Sequence, residues 1–203
     1  MTSDITIAIL AAGSSSRMGS PKQLLNWGEE KLLNHSIKTA SSSNASKVIV
    51  VLGANYKLIE NEIKDYQVTI LNNKDWQKGL GKSIACAAKY VLKSNSKAQG
   101  LLVVLADQPL INTSFLNTLI QNFSFNERQI IATFYDKGKK GVPVLFDRSY
   151  LEELSNLKDD TGAKQLLENH EFFVKALKPP LKNVDLDTKE DYLNLLKSNF
   201  KSK

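Results

Sequence analysis

The stretch Leu10-Ala11-Ala12-Gly13-Ser14-Ser15-Ser16-Arg17-Met18-Gly19-Ser20-Pro21-Lys22 opens on the last residue of the apolar run Ile5–Leu10. That run is short and apolar on both faces, the pattern of a strand covered by helices on either side. The residues after Leu10 are mostly small, with alanine, glycine and serine predominating. Small residues let backbone N–H groups come close to a ligand, and successive amides form a concavity for anions. Arg17 and Lys22 add two positive charges at the same mouth. In open α/β sheets, ligands gather at the carboxyl ends of strands. The reading is a strand followed by a triphosphate cradle, with the backbone amides of Ala12 to Ser16 toward the phosphates and Leu10 and Ala11 beside them.

Along the rest of the chain, short β-branched runs alternate with helix-period segments. Val48–Leu52, Val68–Leu71, Leu101–Ala106 and Ile130–Phe134 read as further strands. Leu32–Ser41, Leu58–Ile63, Ser83–Leu92 and Ser114–Phe123 read as the helices between them. Asn112 or Thr113 can cap the last of these. The alternation predicts an α/β fold with a doubly wound, mostly parallel sheet. Val142–Phe146 reads as a strand whose Pro143 argues for an edge position or a strand start. Helices at Ser149–Leu157 and Gly162–Asn169 and a short strand at Phe173–Leu177 come next. Lys178-Pro179-Pro180 reads as a stiff connector. Thr188–Phe200 reads as a final helix that Thr188 caps, with Glu190 and Asp191 in its first turn. No internal repeat or low-complexity segment interrupts the pattern, so residues 1–203 are expected to form one domain.

Composition narrows the possibilities. A chain of 203 residues with 42% hydrophobic residues suits a single core. Ile5–Ala12 is far shorter than the ~20 residues that span a membrane, and it lacks the basic start of a signal peptide. Cys86 is the single cysteine. An intrachain disulfide is therefore excluded, which fits a reducing, cytoplasmic setting. The two histidines, His35 and His170, lie far apart in sequence, so no zinc site is expected. The net charge of +6 raises nucleic acid as a partner. No basic run is interleaved with aromatics, however, and a solvated lysine-rich surface is the expectation. Neither nucleic acid nor a membrane is expected as a partner.

Two familiar phosphate loops are excluded. A dinucleotide fingerprint needs Gly-x-Gly-x-x-Gly, but Gly13 is followed by three serines. Gly81-Lys82-Ser83 imitates the end of a P-loop, yet the required first glycine falls on Trp76. The second marker is Leu105-Ala106-Asp107-Gln108-Pro109, which closes the apolar strand Leu101–Ala106. A carboxylate at a strand's carboxyl end is well placed to hold Mg²⁺, which prefers oxygen ligands and substrate phosphates. Asp-x-Pro alone is as much a turn signal as a metal signal.

Leu-Ala-Ala-Gly-x-Ser-x-Arg-Met-Gly-x-Pro-Lys resembles the N-terminal signature of MobA-like, GT-A-like nucleotidylyltransferases. With Ala106-Asp107-Gln108-Pro109 added, the chain is similar to molybdenum cofactor cytidylyltransferases, and the likeness runs through nearly its whole length. Trp76-Gln77-Lys78-Gly79-Leu80-Gly81-Lys82-Ser83 resembles that family's Trp-x-x-Gly-Leu segment. Gly141-Val142-Pro143-Val144-Leu145-Phe146 resembles its Gly-x-Pro-x-Phe strand. Asp159-Asp160-Thr161-Gly162-Ala163-Lys164 resembles its Gly-Asp-x-Gly-Ala-Arg turn, and Asp185-Leu186-Asp187-Thr188-Lys189-Glu190-Asp191-Tyr192 its Asp-x-Asp-Thr-Pro-Glu-Asp ending.

The resemblance implies a Mg²⁺-dependent transfer of CMP from CTP to the molybdopterin cofactor, with pyrophosphate released. The N-terminal half would bind the nucleotide and the C-terminal half the acceptor, and the product would pass to a client molybdenum hydroxylase. Arg17 would meet the leaving pyrophosphate, Lys22 the α-phosphate, Asp107 the metal, and Ser83 the base or ribose. Asp187 would be a second metal ligand, or would simply start the last helix with Thr188. Ser83 is explained about as well by a helix start. Trp27 and Trp76 read as packing residues, Cys86 as an inert buried thiol, and His35 has no partner in the sequence.

Three positions depart from the family pattern: Asp159 replaces a glycine, Lys164 an arginine and Lys189 a proline. Lysine keeps the charge but loses the bidentate grip of arginine. Ala12, where molybdopterin guanylyltransferases carry glycine, favours CTP over GTP. The alternatives are a non-catalytic nucleotide or pterin carrier, and the same chemistry with GTP or on another phosphorylated acceptor.

Overall fold

The computed structural model describes residues 4–94, 97–135, 138–158, 162–179 and 185–200. Strands β1 (Ile5–Ala11), β4 (Lys47–Leu52), β5 (Thr69–Asn72), β6 (Gly100–Leu105), β7 (Ile130–Phe134), β8 (Lys140–Asp147) and β9 (Val174–Leu177) form one sheet. A small antiparallel hairpin, β2 (Asn26–Trp27) and β3 (Glu30–Lys31), lies outside it. The sheet order is β5-β4-β1-β6-β8-β7-β9. All neighbours run parallel except at β8, which is antiparallel to β6 and β7.

Alternation along β1 builds both halves of the core. Ile5, Ile7, Ile9 and Ala11 pack beneath α1 (Leu32–Ser41), α2 (Tyr56–Ile63) and α4 (Thr113–Gln121). Ala8 and Leu10 face the other way, toward α3 (Leu80–Ser94), α5 (Leu151–Ser155) and α6 (Lys164–Asn169). Every residue of β1 is buried, as a strand sandwiched between helix layers requires. Asn112 is the cap of α4, its side chain accepting from the N–H of Phe115 at 2.9 Å. The last helix, α7 (Lys189–Asn199), packs on the hairpin in a satellite cluster with Trp27, Leu32 and Leu186.

The predicted doubly wound sheet is present, and two local expectations change. Pro143 is neither on an edge nor at a strand start, because β8 lies between β6 and β7. Ala132 pairs with Val144 but Thr133 with Gly141, so Val142 and Pro143 form a bulge. The bulge removes the ladder position that the missing proline N–H would leave open. There the Thr133 hydroxyl donates to the Pro143 carbonyl at 2.7 Å. The segment Ser149–Leu157 is helical only in part, a 3₁₀ turn at Arg148–Tyr150 leading into α5. The hairpin escapes sequence reading because each of its strands is only two residues long.

Chain order sets the position of the site. From β1 the chain moves outward through β4 to β5, then crosses back by α3 to enter β6 on the other side of β1. The reversal opens a crevice between the carboxyl ends of β1 and β6, where ligands bind in open α/β sheets. The loops that leave those two ends carry Lys22 and Asp107.

Candidate active site

The first loop is shaped from within by Gln23, which is almost fully buried. Its Nε2 donates to the carbonyls of Ala11 at 2.8 Å and Gly13 at 3.0 Å, pinning the loop to the end of β1. Ser15 adopts the left-handed conformation, and its hydroxyl accepts from the Lys22 N–H at 3.1 Å. Ser15 is therefore scaffolding for the loop, and Ser16 begins the 3₁₀ turn Ser16–Met18. A β-carbon added to Gly13 would meet no protein atom within 4 Å. Packing within the protein does not demand glycine there; an approaching ligand would.

The second loop is braced from α1. The Ser36 hydroxyl donates to the Ala106 carbonyl at 3.2 Å, and Nε2 of His35 lies 3.1 Å from the Pro109 carbonyl. His35 thus acquires a partner that sequence reading did not supply. Asp107 accepts from the Leu186 N–H through its own carbonyl at 3.0 Å, which ties the C-terminal segment to the same spot.

Four charged side chains meet between these loops. Lys22 Nζ contacts Oδ2 of Asp107, reaches the Leu186 carbonyl at 3.4 Å and stands 3.9 Å from Asp187 Oδ1. Arg17 Nη2 lies 3.5 Å from the same oxygen of Asp187. Oδ1 of Asp107 is buried and takes no hydrogen bond from the described residues. A buried carboxylate oxygen with an unmet lone pair fits a divalent cation. No group of three or more His, Cys, Asp or Glu able to hold a metal is found among the described residues.

A cavity of about 520 Å³ opens at this point. Of the residues singled out from sequence, Leu10, Ala11, Ala12, Gly13, Ser14, Arg17, Lys22, Ser83, Asp107 and Asp187 line it; Ser15 and Ser16 do not. The start of α7 bears on Asp187. Thr188 and Asp191 form a reciprocal capping box, so the helix start uses those two side chains and leaves the Asp187 carboxylate facing the cations. Ser83 lies within α3 rather than at its start, and its hydroxyl accepts from Asn73 Nδ2 at 3.1 Å.

Sequence reading missed Gln23 altogether; Trp76 is the packing residue that was expected, and it also borders the cavity. Trp76, Gln77 and Leu80 form a wall of the cavity. Trp76 packs so closely on Gly53 that a β-carbon there would lie 2.5 Å from Trp76 Cβ and 2.8 Å from the Ala12 carbonyl. The glycine directly after β4 was the available signal. On the far side of Asp107, Gln108 donates to Asp185 Oδ1 at 2.8 Å. Burial pushes the Asp185 carboxyl above its usual range despite that hydrogen bond, with the charges of Asp107 and Asp187 acting in the same direction as burial. The turn Asp159-Asp160-Thr161 and Pro180 of the connector lie outside the described residues.

The doubly wound sheet thus brings a small-residue loop, two cations and two carboxylates together at its switch point, and the comparisons give the class: a nucleotidyltransferase. The chain belongs to the MobA-like NTP transferase domain family, whose model matches residues 7–174. It is 30% identical over 194 residues to the purine catabolism protein PucB of Bacillus subtilis (strain 168), covering 90% of this chain and 91% of that protein. Among solved structures, the Rv0371c homologue of Mycobacterium sp. strain JC1 superposes with a TM-score of 0.82 at 29% identity, over 98% of each chain. Rv0371c of Mycobacterium tuberculosis H37Rv, solved in complex with manganese, gives 0.80 at 26% identity, over 97% of this chain and all of that one. No helix among the described residues is long and apolar enough to cross a membrane.

Proposed function

We propose that this nucleotidyltransferase transfers CMP from CTP to the terminal phosphate of the molybdopterin cofactor and releases pyrophosphate. The observation that carries the transfer chemistry is the meeting of Arg17, Lys22, Asp107 and Asp187 at the mouth of the small-residue cradle. The choice of cytosine and pterin rests on the likeness of the Ala106–Pro109, Trp76–Ser83 and Asp185–Tyr192 segments to molybdenum cofactor cytidylyltransferases.

An oxygen of the acceptor phosphate attacks the α-phosphorus in line as the bond to the β-phosphate oxygen breaks. That phosphate is already a nucleophile at neutral pH, so no strong general base is needed. The protein's work is positioning and charge neutralisation. The cradle amides and Arg17 receive the β- and γ-phosphates. Lys22 exchanges its carboxylate partner for the α-phosphate, where negative charge is shared with the leaving oxygen. Asp107 and Asp187 would hold Mg²⁺, which supplies charge neutralisation at the phosphates when bound. Trp76 and Ser83 line the cavity where the nucleoside would lie. Delivery of the product to a client molybdenum hydroxylase is part of the same reading.

A second reading keeps this chemistry but changes the nucleotide to GTP or the acceptor to another phosphorylated compound. The similarity to a protein named for purine catabolism favours it, as does Lys164 in place of the family arginine. The test is pyrophosphate release with Mg²⁺ and molybdopterin cofactor, comparing CTP, GTP and ATP, with product mass checked. The cytosine dinucleotide formed from CTP alone is the expected result. Turnover with GTP, or only with another acceptor, would move the assignment to the second reading. Nucleotide binding without any pyrophosphate would make the protein a carrier.

A further inference from the structure

We infer that α7 is a strap that positions Asp187, with the contact between Phe200 and Trp27 as its latch. The inference rests on the reading of Asp187 as a metal ligand. It concerns α7, Phe200 and the hairpin, which lie outside the cradle and take no part in the transfer itself.

The segment just before α7 touches both inner members of the site through its backbone. The Leu186 N–H donates to the Asp107 carbonyl at 3.0 Å, and the Leu186 carbonyl accepts from Lys22 Nζ at 3.4 Å. The Leu186 side chain is fully buried against Trp27 and Leu32. Asp187 is the next residue, and the Thr188–Asp191 capping box follows at once. A shift in how α7 is seated therefore reaches the Asp187 carboxylate across a single residue, with no flexible linker to absorb it.

None of the eleven residues of α7 is buried. A helix of this length is marginal by itself, so its outside contacts decide its position: Tyr192, Leu195 and Leu196 pack half-buried on Trp27, Leu32 and Leu186, and two further contacts hold it to the hairpin. One is the Tyr192 hydroxyl donating to the Asn26 carbonyl at 2.7 Å. Another is the Phe200 ring, edge-to-face on Trp27 with centroids 5.0 Å apart. The hairpin turn accommodates that ring: Gly28 has a φ of +65°, and a β-carbon there would lie 2.8 Å from the ring. The turn thus calls for glycine twice over, once for its conformation and once for the space that Phe200 occupies. Both contacts fall on the hairpin, whose β3 runs directly into α1, the helix that braces the Asp107 loop through Ser36 and His35. Hairpin and strap together fix the separation of the two carboxylates.

The test compares wild type with Phe200→Ala, Phe200→Leu, Tyr192→Phe and Asp187→Asn. Two quantities are read: Mn²⁺ binding in the presence of CTP, from the electron paramagnetic resonance of the free ion, and Mg²⁺ activation of pyrophosphate release. Phe200→Ala is expected to weaken Mn²⁺ binding and raise the half-saturating Mg²⁺ about tenfold, the scale on which supporting residues tune metal affinity. Turnover at saturating Mg²⁺ should stay within about twofold, because Lys22, Asp107 and the cradle are untouched. Phe200→Leu should restore most of the affinity, and Tyr192→Phe should shift it the same way by a smaller factor. Should Phe200→Ala fail to fold, Tyr192→Phe alone carries the test. Wild-type Mn²⁺ binding in folded Phe200→Ala and Tyr192→Phe, alongside weakened binding in Asp187→Asn, would overturn the strap and leave the ligand reading standing. Wild-type binding in Asp187→Asn would remove the ligand reading, and the strap with it.

Discussion

The two ion pairs of the site sit at different depths. Lys22 and Asp107 keep only 19% and 13% of their side chains exposed, whereas Arg17 and Asp187 keep 70% and 46%. The inner pair stands on strand ends and is braced by Gln23, Ser36 and Leu186. The outer pair joins a surface loop to the C-terminal strap. In each pair a cation neutralises a carboxylate, and on the proposed function each would exchange that partner for a phosphate or a metal ion. Depth separates their tasks. Charge in a partly desolvated place acts strongly on a reacting centre, while an exposed pair is screened by water and salt. The inner pair suits the chemical step, and the outer pair suits capture of the triphosphate.

The largest effect should come from the inner pair. Lys22→Ala is expected to lower kcat by about 10²-fold or more, the scale for losing an electrostatic stabiliser of the transition state. A correctly folded Lys22→Ala protein with full turnover would take lysine out of the chemistry and break the contrast. Arg17→Ala should act mainly on capture, raising the KM for nucleotide about tenfold and acting less strongly at high ionic strength. Equal losses of kcat in the two variants would show that depth does not divide their roles.

Stability sharpens the same contrast on a smaller scale. In urea unfolding, Lys22→Ala should cost about 1–2 kcal/mol, less than a fully buried pair because both groups keep some solvent. Arg17→Ala should cost less than about 0.5 kcal/mol.

The smallest effect belongs to a pair at the other end of the strands, where Lys47 pairs beside Thr6 near the start of β1. Lys47 Nζ lies 2.6 Å from the Tyr90 hydroxyl. That contact, with a hydrogen bond from Thr69, lowers the phenol to about 8. A folded value below the unfolded 10.0 means that the pair contributes stability above pH 10 and loses it as pH falls through about 8. Absorbance at 295 nm should show one early tyrosine ionisation, absent in Tyr90→Phe, with turnover at neutral pH unchanged. A loss of turnover in that variant would tie the two ends of the strands together.

Much of this was legible in the residues because local pattern and tertiary role coincide. Ile5–Leu10 is apolar on both faces because both faces are buried, and the small residues after it, Ala12, Gly13 and Ser14, line the cavity at its end. Asp107 was legible from its place at the end of an apolar strand. Pro143 was misread because a proline's tolerance depends on the register of the neighbouring strand, and the bulge against β7 is invisible in β8 itself. Gln23 went unnoticed because a buried glutamine is recognisable only by the carbonyls it meets. Asp187 stayed ambiguous because helix start and metal ligand call for the same residue type, and only the Thr188–Asp191 box shows which side chains the cap employs.

The sequence by itself determined the α/β class and offered the small-residue loop, Arg17, Lys22 and Asp107 as candidates, since these follow from period, residue size and charge at short range; Asp187 it left open between two roles. The tertiary structure alone decided that Asp107 and Asp187 share one cavity with Lys22 and Arg17. That fact depends on a sheet order that brings residues 85 and more positions apart into contact. No local propensity encodes such a meeting; burial of both faces of one sheet does.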